Sequence, residues 1–442
     1  KAETVAKLLQ DEKLQRDIRG QVIWIDEAGL LGTRTLHDVF QLAEKADARI
    51  VLSGDSRQHG SVERGDSLRL LEEHAGIVPA EVTEIRRQQG AYKDAVAALS
   101  RGQAAEGFAR LDQLGFVSEL PDDQRYQKLA ADYVDAVTRN KSVLVVAPTH
   151  AEGEQVTTVI RDRLKVDGRL DVEELSCGRL KNRNWTEAER TDVARYHTGD
   201  VVQFTQNAKG IRRGERLAVD VVEEGVVWLN RGDGRVPLPV TAPKSYQVYA
   251  VDEIGLAQGD HVRITQNGTT RDGKHRLNNG AHYEVAGFTP RGDVKLANGW
   301  TVDRDFGHWA YGYATTSHAS QGRTVDQVFV AQSSASLPAS SLEQFYVSCS
   351  RAKEKVAIYT DDKLALQAAI QDSTQRLSAT ELLAETLPAA MPTWRERAWQ
   401  QFERVRQYGY QLQTTAHETW QRWRESNADR TPPTPKRELT YE

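Results

Sequence analysis

The chain opens with short, wholly apolar runs separated by amphipathic stretches. Residues 21–25 (QVIWI) end in Asp26-Glu27, which predicts a strand buried on both faces that delivers acids at its carboxyl end. Leu36, Val39, Phe40 and Ala43 recur at helical spacing over residues 35–45, and residues 49–52 (RIVL) form a second strand ending at Gly54-Asp55. Val96, Leu99, Phe108 and Leu111 predict a helix over 92–114. Residues 141–147 (KSVLVVA) read as a third buried strand and 151–164 as the helix after it. Such alternation predicts an α/β fold with a parallel sheet.

From about residue 196 to 299 the pattern changes to period two, rich in glycine, valine and threonine, which predicts small all-β modules inserted into the α/β frame. The insert repeats itself. Gly199-Asp200-Val201-Val202-Gln203-Phe204-Thr205-Gln206-Asn207 matches Gly259-Asp260-His261-Val262-Arg263-Ile264-Thr265-Gln266-Asn267. Each copy opens on a Gly-Asp turn, runs into a strand and leaves at asparagine. Two modules of one ancestry explain the match, and shared turn chemistry is the alternative. The α/β pattern resumes at residues 310–315, 325–331 and 355–359, and a polar, helical stretch and a Pro-rich charged tail (431–442) follow. The expected division is 1–120, 121–195, 196–300, 301–375 and 376–442.

Composition narrows the picture only slightly. With 442 residues, 39% hydrophobic and 27% charged, the chain has the make-up of a soluble multidomain protein. It lacks the apolar run a membrane helix needs and the profile of a signal peptide. Two cysteines, Cys177 and Cys349, are too few for a disulfide framework or metal knuckle, and fit a cytoplasmic protein. A net charge of −5 excludes a globally basic coat but not a local basic channel. The one methionine is Met391, so Lys1 is expected to follow residues encoded upstream.

The candidate chemistry sits at strand ends. Asp26 and Glu27 have the form of a Walker B pair, in which the first acid holds Mg²⁺ and the second orients and deprotonates water; a helix N-cap is the bland alternative. Gly54-Asp55-Ser56-Arg57-Gln58 puts a carboxylate and an amide beside that pair, where they could sense a γ-phosphate or simply form a polar turn. Arg87 and Arg351 are candidate arginine fingers, although surface arginines are common. Residues 314–322 (ATTSHASQG) bring hydroxyls, an imidazole and an amide onto one strand-to-helix loop, suited to a phosphodiester backbone or to solvent.

Their order carries more than any one of them. Asp-Glu, Gly-Asp-x-x-Gln, Arg-Gln, Ala-Pro-Thr-His at 147–150, Ser-His-x-Ser-Gln-Gly and Ser-Arg-Ala-Lys all end predicted strands or adjoin their turns. In this the chain resembles superfamily 1B, RecD-like DNA helicases, and most closely the helicase part of relaxase-helicases (MobF type) from conjugative plasmids. The resemblance runs from about Val22 to Tyr359, with residues 317–322 and 346–353 its most specific parts.

The resemblance implies two RecA-like lobes with ATP between them, single-stranded DNA across their top and SH3-like modules as the β insert. It implies nucleotide and Mg²⁺ contacts from Asp26, Gly54, Asp55, Gln58 and Gly322, and catalytic roles for Glu27, Gln58, Arg87 and Arg351. Strand contacts would come from Thr149, His150, Thr315, Ser317, His318, Ser320 and Gln321. Translocation 5′ to 3′ and action in conjugation follow by analogy alone.

One family element is missing from these residues. No Gly-rich loop ending in Gly-Lys-Thr/Ser precedes Gln21. It is expected upstream, and this chain alone is expected to hydrolyse ATP poorly. The near match at residues 268–275 has His275 in place of the Mg²⁺-binding hydroxyl and lies inside the repeat, so it reads as a hairpin turn. A non-catalytic DNA-binding or secretion-docking module derived from a helicase remains the rival reading, and an RNA helicase a third. Four of nine tryptophans (Trp394, Trp399, Trp420, Trp423) fall in the C-terminal stretch, as a docking helix, a base-stacking surface or an amphipathic helix packed on the motor.

Overall fold

The computed structural model describes residues 2–232, 234–375, 378 and 381. The C-terminal tryptophans and the Pro-rich tail lie outside the described residues. The body from Lys1 to Gln375 is one compact unit.

Its centre is a five-stranded sheet in the order Ala314–Thr315, Val143–Val146, Val325–Gln332, Ala352–Thr360, Val117–Glu119. Every pairing in it is parallel. Residues 143–146, 328–331 and 356–359 are apolar because both faces are covered there. Leu144, Val146, Val328 and Val330 point into one core with Val96, Leu99, Phe108 and Phe345. Val145, Phe329 and Ala331 point into the other with Leu129, Tyr133, Val156 and Ile160. The helix expected over 92–114 is two, Gly90–Ser100 and Ala104–Gln113, broken where Gly102 takes φ +79°. Both helices lay their buried faces on this sheet, and Val117–Glu119 is its edge strand.

The first lobe is smaller. Val22–Ile25 pairs in parallel with Arg49–Leu52, and the helix Thr33–Lys45 lays Val39 and Ala43 on Ile23 and Ile25. The acidic strand was expected to be covered on both faces. Among the described residues it is covered on one: Ile23 and Ile25 are buried while Val22 and Trp24 stay exposed.

The repeated segments each supply a strand to an antiparallel sheet, one of six strands and one of five. The two copies make the same bonds. Gly199 (φ +90°) and Gly259 (φ +95°) allow Asp200 and Asp260 to turn inward, where their carboxylates accept the amides of His197 and Ala257. Each buried carboxylate is paired to an arginine, Arg183 at 2.6 Å and Arg161 at 2.8 Å. Val202 and Phe204 enter one core and Val262 and Ile264 the other. At the strand exits Asn207 and Asn267 accept the amides of Arg213 and Asn279, each at 2.8 Å. The long strand Tyr246–Ala257 joins the modules: Tyr246 and Val248 enter the first core, and Ile254 and Leu256, further along, enter the second.

The predicted strand over 310–315 is really a handover. Trp309–Tyr311 completes the second module and Ala314–Thr315 re-enters the central sheet. Gly268–Thr269 and Arg276–Leu277 pair as the expected hairpin, with Gly273 at φ +69°. No helix among the described residues is long and apolar enough to cross a membrane.

Candidate functional site

The carboxyl ends of the two sheets meet in a seam, and most of the expected residues lie in it. Glu27 sits just past its strand in the left-handed region (φ 52°), a conformation costing about 1–3 kcal/mol for a non-glycine residue. It stands at the start of a short 3₁₀ turn, yet its side chain makes no capping bond. The carboxylate instead accepts from Gln321 Nε2 of the second lobe at 2.8 Å. Asp26 is exposed and accepts from the Ser53 hydroxyl at 2.9 Å, which in turn accepts from the Trp24 indole at 2.8 Å.

Gly54 is required by close approach. A Cβ there would come within 2.8 Å of Leu68 and 3.2 Å of the Ala28 amide nitrogen. The chain can therefore turn tightly behind the acids and present Asp55. One Asp55 oxygen accepts the Arg57 amide at 3.0 Å; the other accepts from Gln58 at 3.2 Å and from Tyr346 of the second lobe at 2.9 Å. Burial first, and then Asp55, push the Tyr346 hydroxyl well above its ordinary pKa.

Tyr346 lies on the helix Leu342–Ser350, and Arg351 closes that helix. Arg351 is 3% exposed and donates to Val347 O at 3.1 Å and to Gln58 Oε1 at 3.2 Å. Burial lowers the pKa of its guanidinium and the nearby Arg87 lowers it further, while Glu27 acts in the opposite direction. Arg87 donates to Ser350 O at 2.5 Å, and Gln88 to the same oxygen at 3.0 Å. The Arg351 guanidinium is thus disfavoured by burial and by Arg87 beside it, which an anion carrying several oxygens would relieve. Gln321 Oε1 is buried without a partner in the same place. These groups fit the phosphate end of a nucleotide.

The serine loop is held differently from expectation. Ser317 and Ser320 are buried, at 3% and 0% exposure. The Ser320 hydroxyl donates to Ser317 O at 2.6 Å, and Ser317 Oγ lies 2.9 Å from His59 Nε2. In this structure both hydroxyls are engaged inside the loop, where they shape it. His318 stays exposed and its ring stacks on that of His59, centroids 3.5 Å apart. Thr149 is likewise committed, its hydroxyl capping the helix His150–Val166 through the Glu152 amide at 3.2 Å. His150 is exposed, and Ala147 N donates to Thr315 O at 2.9 Å, so the 147–150 turn and the serine loop lie side by side at one end of the sheet. Gly322 (φ +79°) turns the chain after Gln321.

Sequence reasoning missed three groups in this seam. His59 is 4% exposed, and burial, then His318, lower its pKa to about 3, with Glu343 opposing and Arg351 adding a little. Tyr346 lay within a quoted motif but was given no part, and the Trp24–Ser53–Asp26 chain was invisible. A lone histidine or serine carries no spacing signal that could have marked it.

Residues 1–122 match the AAA domain family and residues 311–359 the UvrD-like helicase C-terminal domain family. The chain is homologous to conjugation proteins: it is 22% identical to the multifunctional conjugation protein TraI of Escherichia coli, over 86% of this chain and 24% of that protein. It is 24% identical to the conjugal transfer protein TraA of Agrobacterium fabrum, over 76% of this chain and 24% of that one. The chain thus spans about a quarter of the length of these curated relatives. A solved Pif1 helicase from Candida albicans aligns with 82% of this chain and 78% of its own at 14% identity, with a TM-score of 0.35, a likeness too low to transfer any detail.

Proposed function

We propose that the chain is the motor part of a longer ATP-dependent, single-stranded DNA translocase or helicase that acts in conjugative DNA transfer, in the cytoplasm and in the 5′-to-3′ direction. The observation that supports this best is the Gln321–Glu27 hydrogen bond, because it joins a loop suited to a nucleic-acid backbone directly to the acid suited to activating water. In this reading the first lobe ends near residue 89, the second lobe takes residues 90–173 and 313–375, and the β modules fill 174–312.

A bound nucleotide with Mg²⁺ supplies the phosphoryl group and the charge that polarises it. Asp26 would hold the cation. Glu27 orients a water molecule and takes its proton; Gln58 and Asp55 sense the terminal phosphate, with Gly54 and Gly322 letting the backbone come close. Arg351 and Arg87 would donate to the phosphate oxygens of a bound nucleotide. Thr315, His318, Gln321 and His150 line the strand's path, while Ser317, Ser320 and Thr149 hold that path in shape.

The test is fluorescence anisotropy of a labelled oligonucleotide with this chain, single-stranded against duplex, with and without ATP and Mg²⁺. Single-strand binding tighter than duplex binding, weakened by His318→Ala and Gln321→Ala, is the expected result. Absence of single-strand binding would overturn the proposal.

A further inference from the structure

The basic groups in the seam between the lobes face carboxylates, amides or carbonyls. A second basic cluster, at the junction of the serine loop and the second β module, does not. It consists of Arg263 on the strand His261–Ile264, His282 opposite it on His282–Phe288, and Arg323 just beyond Gly322. Arg323 Nη2 lies 2.7 Å from His282 Nε2. A guanidinium can only donate, so that nitrogen accepts and the imidazole is neutral, with its proton on Nδ1. Arg263 Nε is buried and has no hydrogen-bond partner. Burial lowers the pKa of both guanidiniums, and Arg323 lowers that of Arg263 further.

Neither arginine forms an ion pair or a hydrogen bond to a carboxylate among the described residues. Glu284, opposite His261 on the same face of the sheet, is exposed. On the other side of Arg263 the register places Ala310, and Gly312 follows two residues later. A Cβ on Gly312 would come within 2.9 Å of His282 Nδ1, so the face beside the cluster is kept free of bulk.

Two partly desolvated guanidiniums without a counter-charge are unfavourable in the isolated protein, and become favourable when an external oxyanion bridges them. The planar fork of arginine suits phosphate oxygens, and a neutral imidazole with a free Nδ1–H adds a third donor. We infer that Arg263, Arg323 and His282 form a seat for one phosphodiester of a single strand, where the strand passes from the serine loop onto the second β module. This rests on the reading that the serine loop faces a strand. The seat adds a contact on the β module to the path described above. It also lies two residues along the chain from Gln321, the side chain that holds Glu27. Inorganic phosphate offers the same chemistry, so the test must separate a strand from a free anion.

The experiment measures binding of a labelled oligothymidylate to the full chain across a salt series. Wild type is compared with Arg323→Gln, Arg263→Gln, Arg323→Lys and, as a loop control, Thr315→Ala. Each phosphate contact contributes about 0.7 to the slope of log affinity against log salt for a single strand, hence about fivefold in affinity near 0.1 M salt. Arg323→Gln and Arg263→Gln are each expected to flatten the slope by about 0.7 and weaken binding about fivefold. Arg323→Lys should keep the slope, and Thr315→Ala should weaken binding without changing it.

Circular dichroism melts check folding. Arg323 lies on a loop outside the ladders, so its variants decide the matter should Arg263→Gln fail to fold. Unchanged slopes in a folded Arg323→Gln, with binding weakened by Thr315→Ala, would overturn the seat and leave the strand reading intact. No binding by wild type would overturn the strand reading itself. A third measurement follows the His282 ring resonances by NMR. A shift with oligonucleotide that Arg323→Gln abolishes supports the seat, whereas a shift with millimolar inorganic phosphate that oligonucleotide neither reproduces nor competes with would assign a free-anion site and overturn it.

Discussion

His59 offers a way to weaken the seam between the lobes with protons alone. Its ring is buried against Ser317 and stacked on His318, and burial with its neighbours lowers its pKa from 6.5 to about 3. When the seam opens and the ring is solvated, the pKa returns to 6.5. Because the closed-state value is the lower one, closure is fully favoured above about pH 6.5 and loses stability as the pH falls towards 3. Each pH unit within that window costs about 1.4 kcal/mol, so lowering the pH to 5 costs about 2 kcal/mol, a factor of about thirty in the closed-to-open ratio. Burial also lowers the pKa of His318, so its effect has the same sign. His59→Gln keeps an amide able to bond Ser317 but removes the titration. Hydrogen exchange over residues 54–60 and 316–322, corrected for the intrinsic rate, is measured at pH 7 and pH 5 for both proteins. Wild-type protection should fall about thirtyfold further than that of His59→Gln. Equal falls in the two proteins would refute the assignment of the acid sensitivity to this ring.

Three further outcomes follow from the same geometry. Asp260→Ala takes from the buried Arg161 one of its two carboxylates, leaving Glu174, and removes the acceptor of the Tyr313 hydroxyl, so the second β module should lose about 3 kcal/mol, read as lost exchange protection in its strands while the central sheet keeps its own. Tyr346→Phe deletes one hydrogen bond to Asp55 and should lower the stability of the closed seam by about 1 kcal/mol without unfolding either lobe, measured by exchange across the same peptides. Gly54→Val forces a side chain against Leu68 and the Ala28 amide; thermal melting of the first lobe should drop measurably, and an unchanged melt would show that this turn has slack.

The order of strands and helices was legible because a parallel sheet covered on both faces demands apolar runs, and residues 143–146 and 328–331 have them. The repeat was legible too, since its Gly-Asp turns depend on local chemistry: positive φ at glycine and an inward carboxylate. Most of the candidate seam could be named because the resemblance rests on residue order. Local periodicity could not say which lobe the helices Gly90–Ser100 and Ala104–Gln113 would cover, since an amphipathic face does not name its partner. Nor could it show that the acidic strand is covered on one face, or that residues 310–315 change sheets midway. Nor could it show which way the Ser317 and Ser320 hydroxyls turn, because a hydroxyl's direction is set by packing, and here packing turns them inward. The pairings Glu27–Gln321, Asp55–Tyr346 and Arg263–His282–Arg323 join side chains up to 294 positions apart. The sequence by itself determined which elements form and which chemistry is carried at their ends; only the tertiary structure decided which of those ends face one another, because hydrogen bonds and charge pairs depend on distance in space.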